Sequence, residues 1–384
     1  MKHGWEYKKF TDVCDVQYGF AFDSKFFTDD ENAMPLIRIR DVMRGYSETF
    51  YNGEIPNGYL INEGDYLVGM DGEFNIGRWG KRPGLLNQRV CKMSSSSKLL
   101  DNQYMYYFMK VCLKSIEDET PFVTVKHLSA KRINLIEIPL PPLLTQQSIA
   151  SELDKINELI SLKKEQLKDY DNLAQSIFYE MFGDPIENEK GWEVKKLGDV
   201  CEVSSFKRVL VEDVLEKGPV PFIRGTELSA ICKENKREYK MYITMEHYER
   251  VKNISGVPNV GDLLIPSINA EGLVWVVDTP EPMYYKDGRV LWVHVDQNSI
   301  SSIALQRILN NLIKDNYSKI TNGAVFAELN LSILRSFPII LPPLSIQNAF
   351  ANKINLIEKQ KAEIQSTIAD LETLLASRMQ YWFD

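Results

Sequence analysis

Trp5–Val16 reads WEYKKFTDVCDV and Trp192–Val203 reads WEVKKLGDVCEV, with eight of the twelve positions identical at an offset of 187. Further blocks match in the same order: Pro35–Arg38 (PLIR) with Pro221–Arg224 (PFIR) at 186, Gly64–Leu67 (GDYL) with Gly261–Leu264 (GDLL) at 197, and Leu140–Leu144 (LPPLL) with Leu341–Ser345 (LPPLS) at 201. One such block arises by chance, whereas four in one order mark an internal duplication. The steps in offset show that about eleven residues entered the second copy between the PFIR and GDLL blocks and four more after it. Copies that keep a frame and differ in the connecting stretches are expected when one scaffold carries two recognition surfaces.

A Gln (Gln146, Gln347) and a long helical pattern follow each LPPL block. Apolar residues step by 4 and 3 through Ile149, Leu153, Ile156 and Ile160 to Met181, with Lys163 as the charged interruption; the second series runs Phe350, Ile354, Ile357, Lys361, Ile364 and Ile368 to Trp382. This is a heptad seam. The proline pairs 141–142 and 342–343 set the helix starts, and Gly183 with Pro185 stops the first. At roughly 1.5 Å per residue, each helix spans on the order of 50 to 60 Å. Neither can bury its stripe alone, so the two are expected to pair, antiparallel, because heads and helices alternate along the chain. Leu159, Leu162, Leu356, Leu374 and Met379 lie beside the seam and widen the stripe, which points to further helices from a partner. Ile156, Ile160, Leu167, Ile357, Ile364 and Leu371 are the candidate docking residues.

The expected organisation is therefore a head over 1–142, a helix over 143–182, a linker over 183–191, a second head over 192–343 and a second helix over 344–384. Within the heads, short runs rich in Val, Ile, Tyr and Phe alternate with Gly, Asn and Asp turns, as at Leu36–Ile39, Asp65–Val68, Leu263–Ile265, Leu273–Val277 and Val290–Val295. Helical patterns fall near Gln103–Ile116 and Ile300–Ile313. The class is α+β: two β-rich mixed domains in a tandem pseudo-twofold repeat, separated by a pair of long antiparallel coiled-coil helices.

The chain has 384 residues and a net charge of −8. That balance opposes a polyanionic partner until its distribution is counted. Each head carries 18 basic against 19 acidic residues, and the excess acid sits in the helices and linker. No apolar run approaches the length of a membrane span, the N-terminus lacks the apolar core of a signal peptide, and five cysteines without a C-x-x-C pair fit a reducing cytoplasm. The four histidines have no metal-ligand spacing, no phosphate-binding glycine loop is present, and LPPL lacks the polar residue an adenine methyltransferase needs beside its prolines. No catalytic machinery is visible.

Between Asn75 and Leu100 there is no acid, but Arg78, Lys81, Arg82, Arg89, Lys92 and Lys98 are interleaved with Trp79, Asn87 and Gln88. Arg, Asn and Gln suit base edges, and Lys suits phosphates. A solvated basic loop beside a strand has the same composition. In the second head the matching segment, Ser267 to Gly272, is far less basic. On the DNA reading, Arg78, Asn87, Gln88 and Arg89 lie near DNA, with Arg38 and Arg40 on a neighbouring strand and the stretch from Tyr18 to Ser24 as an adjoining loop. The counterparts in the second head are Arg208, Arg224, Thr226, Ser267, Asn269 and Arg289.

Two heads, each closed by LPPL and a long helix, with MFGDP leading into GWEVKKLGDV, resemble the specificity subunit of type I restriction-modification systems over essentially the whole chain. The most specific pieces are Asp71 to Trp79 (DGEFNIGRW), Leu86 to Arg89 (LNQR) and Val125 to Leu128 (VKHL) followed by Ile138 to Pro142 (IPLPP). The resemblance adds Asp71, Gly72, Phe74, Asn75, Trp79, Lys81 and Lys126 to the DNA-contact candidates. It implies that each head is a target-recognition domain reading half of a bipartite double-stranded DNA site, and that the helices form a spacer docking methyltransferase subunits and, through them, restriction subunits. S-adenosylmethionine, ATP and magnesium would then sit on those partners, with no cofactor bound by this non-catalytic chain. The second head departs at Ala324 to Leu329 (AVFAEL), opposite Thr124 to Leu128 (TVKHL), which puts a shared basic contact in doubt. The alternative from another class is a coiled-coil scaffold whose heads bind peptides or sugars.

Overall fold

The computed structural model describes residues 4–80, 82–120, 126–320 and 328–383. Its contacts divide into two units, Met1–Glu165 with Gln365–Asp384, and Gln166–Ile364. The division runs through both long helices rather than between heads and helices, so each unit holds one head and one portion of each helix.

In the first unit the entry strand Glu6–Lys9 pairs antiparallel with the exit strand Glu137–Leu140, Glu6 opposite Leu140. This pairing ties the two ends of the head together immediately before the long helix Leu143–Phe182. A four-stranded sheet follows in the spatial order Cys14–Tyr18, Val90–Ser95, Tyr66–Gly69, Ile76–Arg78, each pair antiparallel. Successive strand residues face opposite sides. Cys91, Met93 and Val68 meet Tyr104, Met105 and Met109 of the helix Asn102–Glu119 in the main core, and Leu67 and Val90 meet Ile37, Trp79 and Leu86 in a smaller one. The helix begins where Asp101 accepts hydrogen bonds from the Gln103 and Tyr104 amides, satisfying two otherwise orphaned donors. A five-stranded sheet of short strands, centred on Met34–Ile37 and Gly84–Leu86, completes the head.

The second unit repeats this frame in register. Glu193–Lys196 pairs with Pro338–Leu341, Glu193 opposite Leu341. The four-stranded sheet is Glu202–Ser205, Val290–His294, Leu263–Pro266, Trp275–Val276, packed on the helix Ser302–Ile320. The extra residues of the second copy build elements the sequence did not announce. Where the first head runs from a 3-10 turn, Ile39–Asp41, to the strand Phe50–Tyr51, the second runs from a helix, Gly225–Glu234, to the corresponding strand Tyr242–Ile243 and then adds a helix, Met245–Ser255.

The long helices occupy Leu143–Phe182 and Leu344–Phe383. Within the first unit Glu152 binds Arg378 and accepts from Trp382 Nε1 at 3.2 Å, while Lys164 lies 2.8 Å from Glu372. Within the second, Asp171 lies 2.7 Å from Lys361, and the Phe182 and Phe350 rings are 4.7 Å apart. One number rises as its partner falls, so the segments run antiparallel in each unit. Gln146 and Gln347 are both buried and do one job. Gln146 accepts from the Asp101 amide and donates to the Leu99 and Pro141 carbonyls; Gln347 accepts from the Ser301 amide and donates to the Pro342 carbonyl. Each fastens the start of a long helix to the start of its head's own helix.

The residues expected to dock a partner lie along the seam between the helices. Ile156, Ile160, Ile357 and Ile364 are buried within the chain itself, and Leu167 and Leu371 are half-buried. They form the seam, because an amphipathic helix buries its apolar stripe against the nearest matching stripe. Beside the seam, Leu159, Leu162, Leu356 and Leu374 are 46 to 67% exposed.

Candidate nucleic-acid interface

At one end of the first head's four-stranded sheet, several turns converge. Phe20 donates to the Leu86 carbonyl and accepts from the Gln88 amide, which places the loop after Tyr18 against the turn Asn87–Arg89. The Met70 amide donates to the Arg89 carbonyl at 2.9 Å, and the Leu128 amide donates to the Met70 carbonyl at 2.7 Å, bringing Asp71, Arg89 and His127 together. Asp71 accepts from His127 Nδ1 and lies 3.2 Å from Arg89 Nη1. Arg89 is one of three non-glycine residues with positive φ among the described residues, at 72°. Beside this cluster Arg38, Arg40 and Asn75 line an open groove of about 580 Å³. Asn75 Oδ1 is buried there without a hydrogen-bond partner among the described residues. Tyr18, Ser24, Arg38, Arg40, Gly72, Gln88 and Arg89 are exposed.

Arg38 and Arg40 lie in the 3-10 turn after the strand rather than on it, and buried Asp41 accepts from the Arg38 amide at 2.9 Å. The second head builds the same turn with Glu227 accepting from the Arg224 amide and guanidinium. Burial alone would push the Glu227 carboxyl up, but hydrogen bonds from Arg224, Thr226 and its own backbone outweigh it and hold the carboxyl below its usual range. Arg224, Thr226, Lys286 and Arg289 line a groove of about 580 Å³ in this head, and Arg208 is exposed on the loop corresponding to the one after Tyr18.

Not every candidate is presented. The basic stretch does not form one patch. Arg78 sits at the opposite end of its strand, over Gly64, because Tyr66 and not Gly69 is its partner. Lys92 is 2.8 Å from Asp65, and Arg82 donates to the Glu31 and Ala33 carbonyls. Trp79 and Phe74 are core residues, 3 and 4% exposed, because the sheet is covered on both faces: Phe74 packs in the main core and Trp79 in the smaller one. Lys126 donates to the Glu117 carbonyl at 2.7 Å and so staples the turn to the helix end. Asn87 is buried, its Oδ1 accepting from the Gln88 amide. Ser267 and Asn269 are each 2% exposed, and the Asn269 amide closes its own turn against Leu273. A buried turn must satisfy its backbone polar groups, and short amides serve that need. Lys81 lies outside the described residues. His127, which contacts Asp71, and Glu328, which contacts Arg289, were not among the sequence candidates, although the 201 offset aligns them.

Among the described residues no group of three or more His, Cys, Asp and Glu could hold a metal ion, and no helix is long and apolar enough to cross a membrane. Burial pushes the thiols of Cys14, Cys91, Cys112, Cys201 and Cys232 up to about 12, so they are poor nucleophiles.

Residues 2–169 and 189–372 each match the family described as "Type I restriction modification DNA specificity domain". The chain is 34% identical over 206 residues to the EcoBI specificity subunit of Escherichia coli, covering 52% of this chain and 43% of that protein. It is 23% identical over 348 residues to the MjaVIII specificity subunit of Methanocaldococcus jannaschii, covering 82% of this chain and 79% of the relative. The fold is shared with the type I restriction-modification S subunit from M. genitalium, with a TM-score of 0.57 at 14% identity over 99% of this chain and 96% of that one. It is also shared with a chain from a structure on complex assembly and conformational transition of the type I R-M system, with a TM-score of 0.60 at 17% identity over 100% of this chain and 98% of that one. With two copies of the domain, each on a matching β-rich head joined to a long helix, this chain belongs to the family of type I restriction-modification specificity subunits.

Proposed function

We propose that the chain directs a type I restriction-modification complex to a bipartite duplex target, each head reading one half-site, and that it performs no catalysis itself. The observation that carries the reading is the repeated sheet end. The same turns, in the same register, present arginines beside a groove in both heads, while the elements flanking those grooves differ. One frame with two different reading edges is what two unlike half-sites require.

Methyltransferase subunits dock on the exposed leucines beside the seam, Leu159, Leu162 and Leu374 in the first unit and Leu356 in the second, restriction subunits joining through them. The substrate adenine, S-adenosylmethionine, ATP and magnesium belong to those partners. Near-neutral heads contribute little phosphate neutralisation, so tight binding requires the partners' charge as well. Two tethered readers make the second half-site an intramolecular event, which raises affinity only for targets of one spacing.

The test is to exchange residues 5–139 for the matching head of a relative, reconstitute with methyltransferase subunits, and map methylated sites across a genome. One half of the motif should change, with the other half and the spacing kept. Changes in both halves, or in neither, would overturn the reading.

A further inference from the structure

We infer that each head reads a guanine with an arginine held in place by a carboxylate, Arg89 by Asp71 in the first head and Arg289 by Glu328 in the second. The inference rests on the proposed function and adds the base and the device. The two arginines occupy the same backbone position. The Met70 amide donates to the Arg89 carbonyl at 2.9 Å and the Ser267 amide to the Arg289 carbonyl at 3.0 Å; the Leu128 and Leu329 amides donate to the Met70 and Ser267 carbonyls, both at 2.7 Å. Asp71 therefore corresponds to Ile268, and His127 to Glu328.

The carboxylate has changed chain segments between the heads while its partner has not. In the first head it comes from position 71, where His127 holds its other side. In the second, position 268 is an exposed isoleucine, and the acid stands where the histidine was, bound to Arg289 Nη1. Two routes to one pairing argue that the pairing matters, since a chance surface ion pair has no reason to reappear from another segment. The arginine side chains are 55 and 47% exposed, so the core does not need them. Arg89 also adopts a left-handed conformation that a non-glycine residue avoids without cause.

In both pairs the carboxylate engages Nη1. Nε and Nη2 remain without a partner among the described residues, and this edge is a fork that matches guanine O6 and N7. A fixed guanidinium loses little rotamer freedom on binding. The paired charge is largely neutralised, so the group keeps directed donors while losing its pull on phosphate. That combination suits base reading more than backbone attraction.

The experiment uses the full chain assembled with its methyltransferase subunits, and the wild-type motif is first mapped from the methylome. Duplexes carrying that motif, with each guanine in turn replaced by 7-deazaguanine, then report loss of the N7 acceptor. One guanine in each half-site should respond. Arg89→Ala should abolish the response and the base preference at one half-site only, costing roughly 5- to 150-fold in discrimination there; Arg289→Ala should do the same at the other. Arg89→Lys should lower cognate binding to the level of the mismatched site while leaving binding to the mismatched site unchanged, a split that a structural role would not give. Asp71→Ala should weaken discrimination, and Asp71→Ile with His127→Glu should restore it by moving the acid to the segment used in the second head. A half-site without a responding guanine, or a uniform loss over all sequences in Arg89→Ala, would overturn the inference. If head exchange still moves one half-site in that case, the proposed function stands and only the guanine assignment falls.

Discussion

Replacing Gln146 by Leu removes three hydrogen bonds and almost no volume, so the consequence is dominated by the groups left behind. The Asp101 amide and the Leu99 and Pro141 carbonyls lose their partner. At about 1 kcal/mol net per bond the first head should lose about 3 kcal/mol of local stability. Gln347→Leu leaves the Ser301 amide and the Pro342 carbonyl, which predicts about 2 kcal/mol in the second head. Hydrogen exchange read by mass spectrometry isolates each opening within its own unit. Peptides spanning the start of Asn102–Glu119 should exchange roughly 100-fold faster in the first variant. Those spanning the start of Ser302–Ile320 should exchange roughly 30-fold faster in the second, each with the other head unchanged. Acceleration below about fivefold in Gln146→Leu, or equal effects of the two substitutions, would refute the reasoning, because water would then be replacing the amide.

The Glu152 carboxyl is held below its ordinary 4.5 chiefly by the hydrogen bond from Arg378. The folded state then binds fewer protons than the unfolded one, so this contribution is present above about pH 4.5 and fades as pH falls through the lowered value. Acid titration of helicity should show the difference between wild type and Arg378→Gln closing in that window and staying constant above it. Thiol reagents at pH 8 should leave the native chain largely unlabelled and modify all five cysteines only in denaturant, since burial holds every thiol near 12; rapid native labelling of any one would contradict its packing. In Gly77→Ala the new Cβ would stand 2.0 Å from the Val42 carbonyl oxygen. Thermal unfolding should reveal a cost of about 1 to 3 kcal/mol, as for other overpacked sites.

What the sequence disclosed was what repeats or carries its own periodicity. The heptad steps disclosed the long helices because a seam of 40 residues averages out local exceptions, and Pro141–Pro142 and Gly183 marked the ends of the first at 143 and 182. Gln146 and Gln347 were visible as a repeated letter, but their burial was not, since it depends on a helix start some 45 residues away. The helix Met245–Ser255 escaped because only His247, Tyr248 and Val251 face inward, too few positions to show a period. The acid-free stretch after Asn75 misled because strands advance about 3.3 Å per residue. Arg78 ends one strand and Arg89 precedes another; both strands run antiparallel to Tyr66–Gly69 and hence parallel to each other, so the two arginines fall at opposite ends of the sheet. The Asp71–Arg89 and Glu328–Arg289 pairs were hidden for a related reason: their members sit on different turns, far apart in sequence, and the acid comes from a different segment in each copy.

The long helices offer the sharpest test of how geometry enters specificity. Lys164 pairs with Glu372 in the first unit and Lys361 with Asp171 in the second. The boundary between the units falls in both helices, after Glu165 and after Ile364. A heptad inserted after Glu165 alone would slide one helix against the other and break one unit's pairing, so loss of assembly in that variant carries no information about spacing. Matched heptads after Glu165 and after Ile364 preserve both sets of partners and keep the seam in phase, because seven residues are two turns of a coiled coil. They add roughly 10 Å of helix, close to three base pairs at 3.4 Å each. Methylome mapping of this paired variant should return both half-sites unchanged with a longer spacer between them. An unaltered spacer in an assembled, active complex would mean that the partner subunits, and not these helices, set the distance between the two halves of the target.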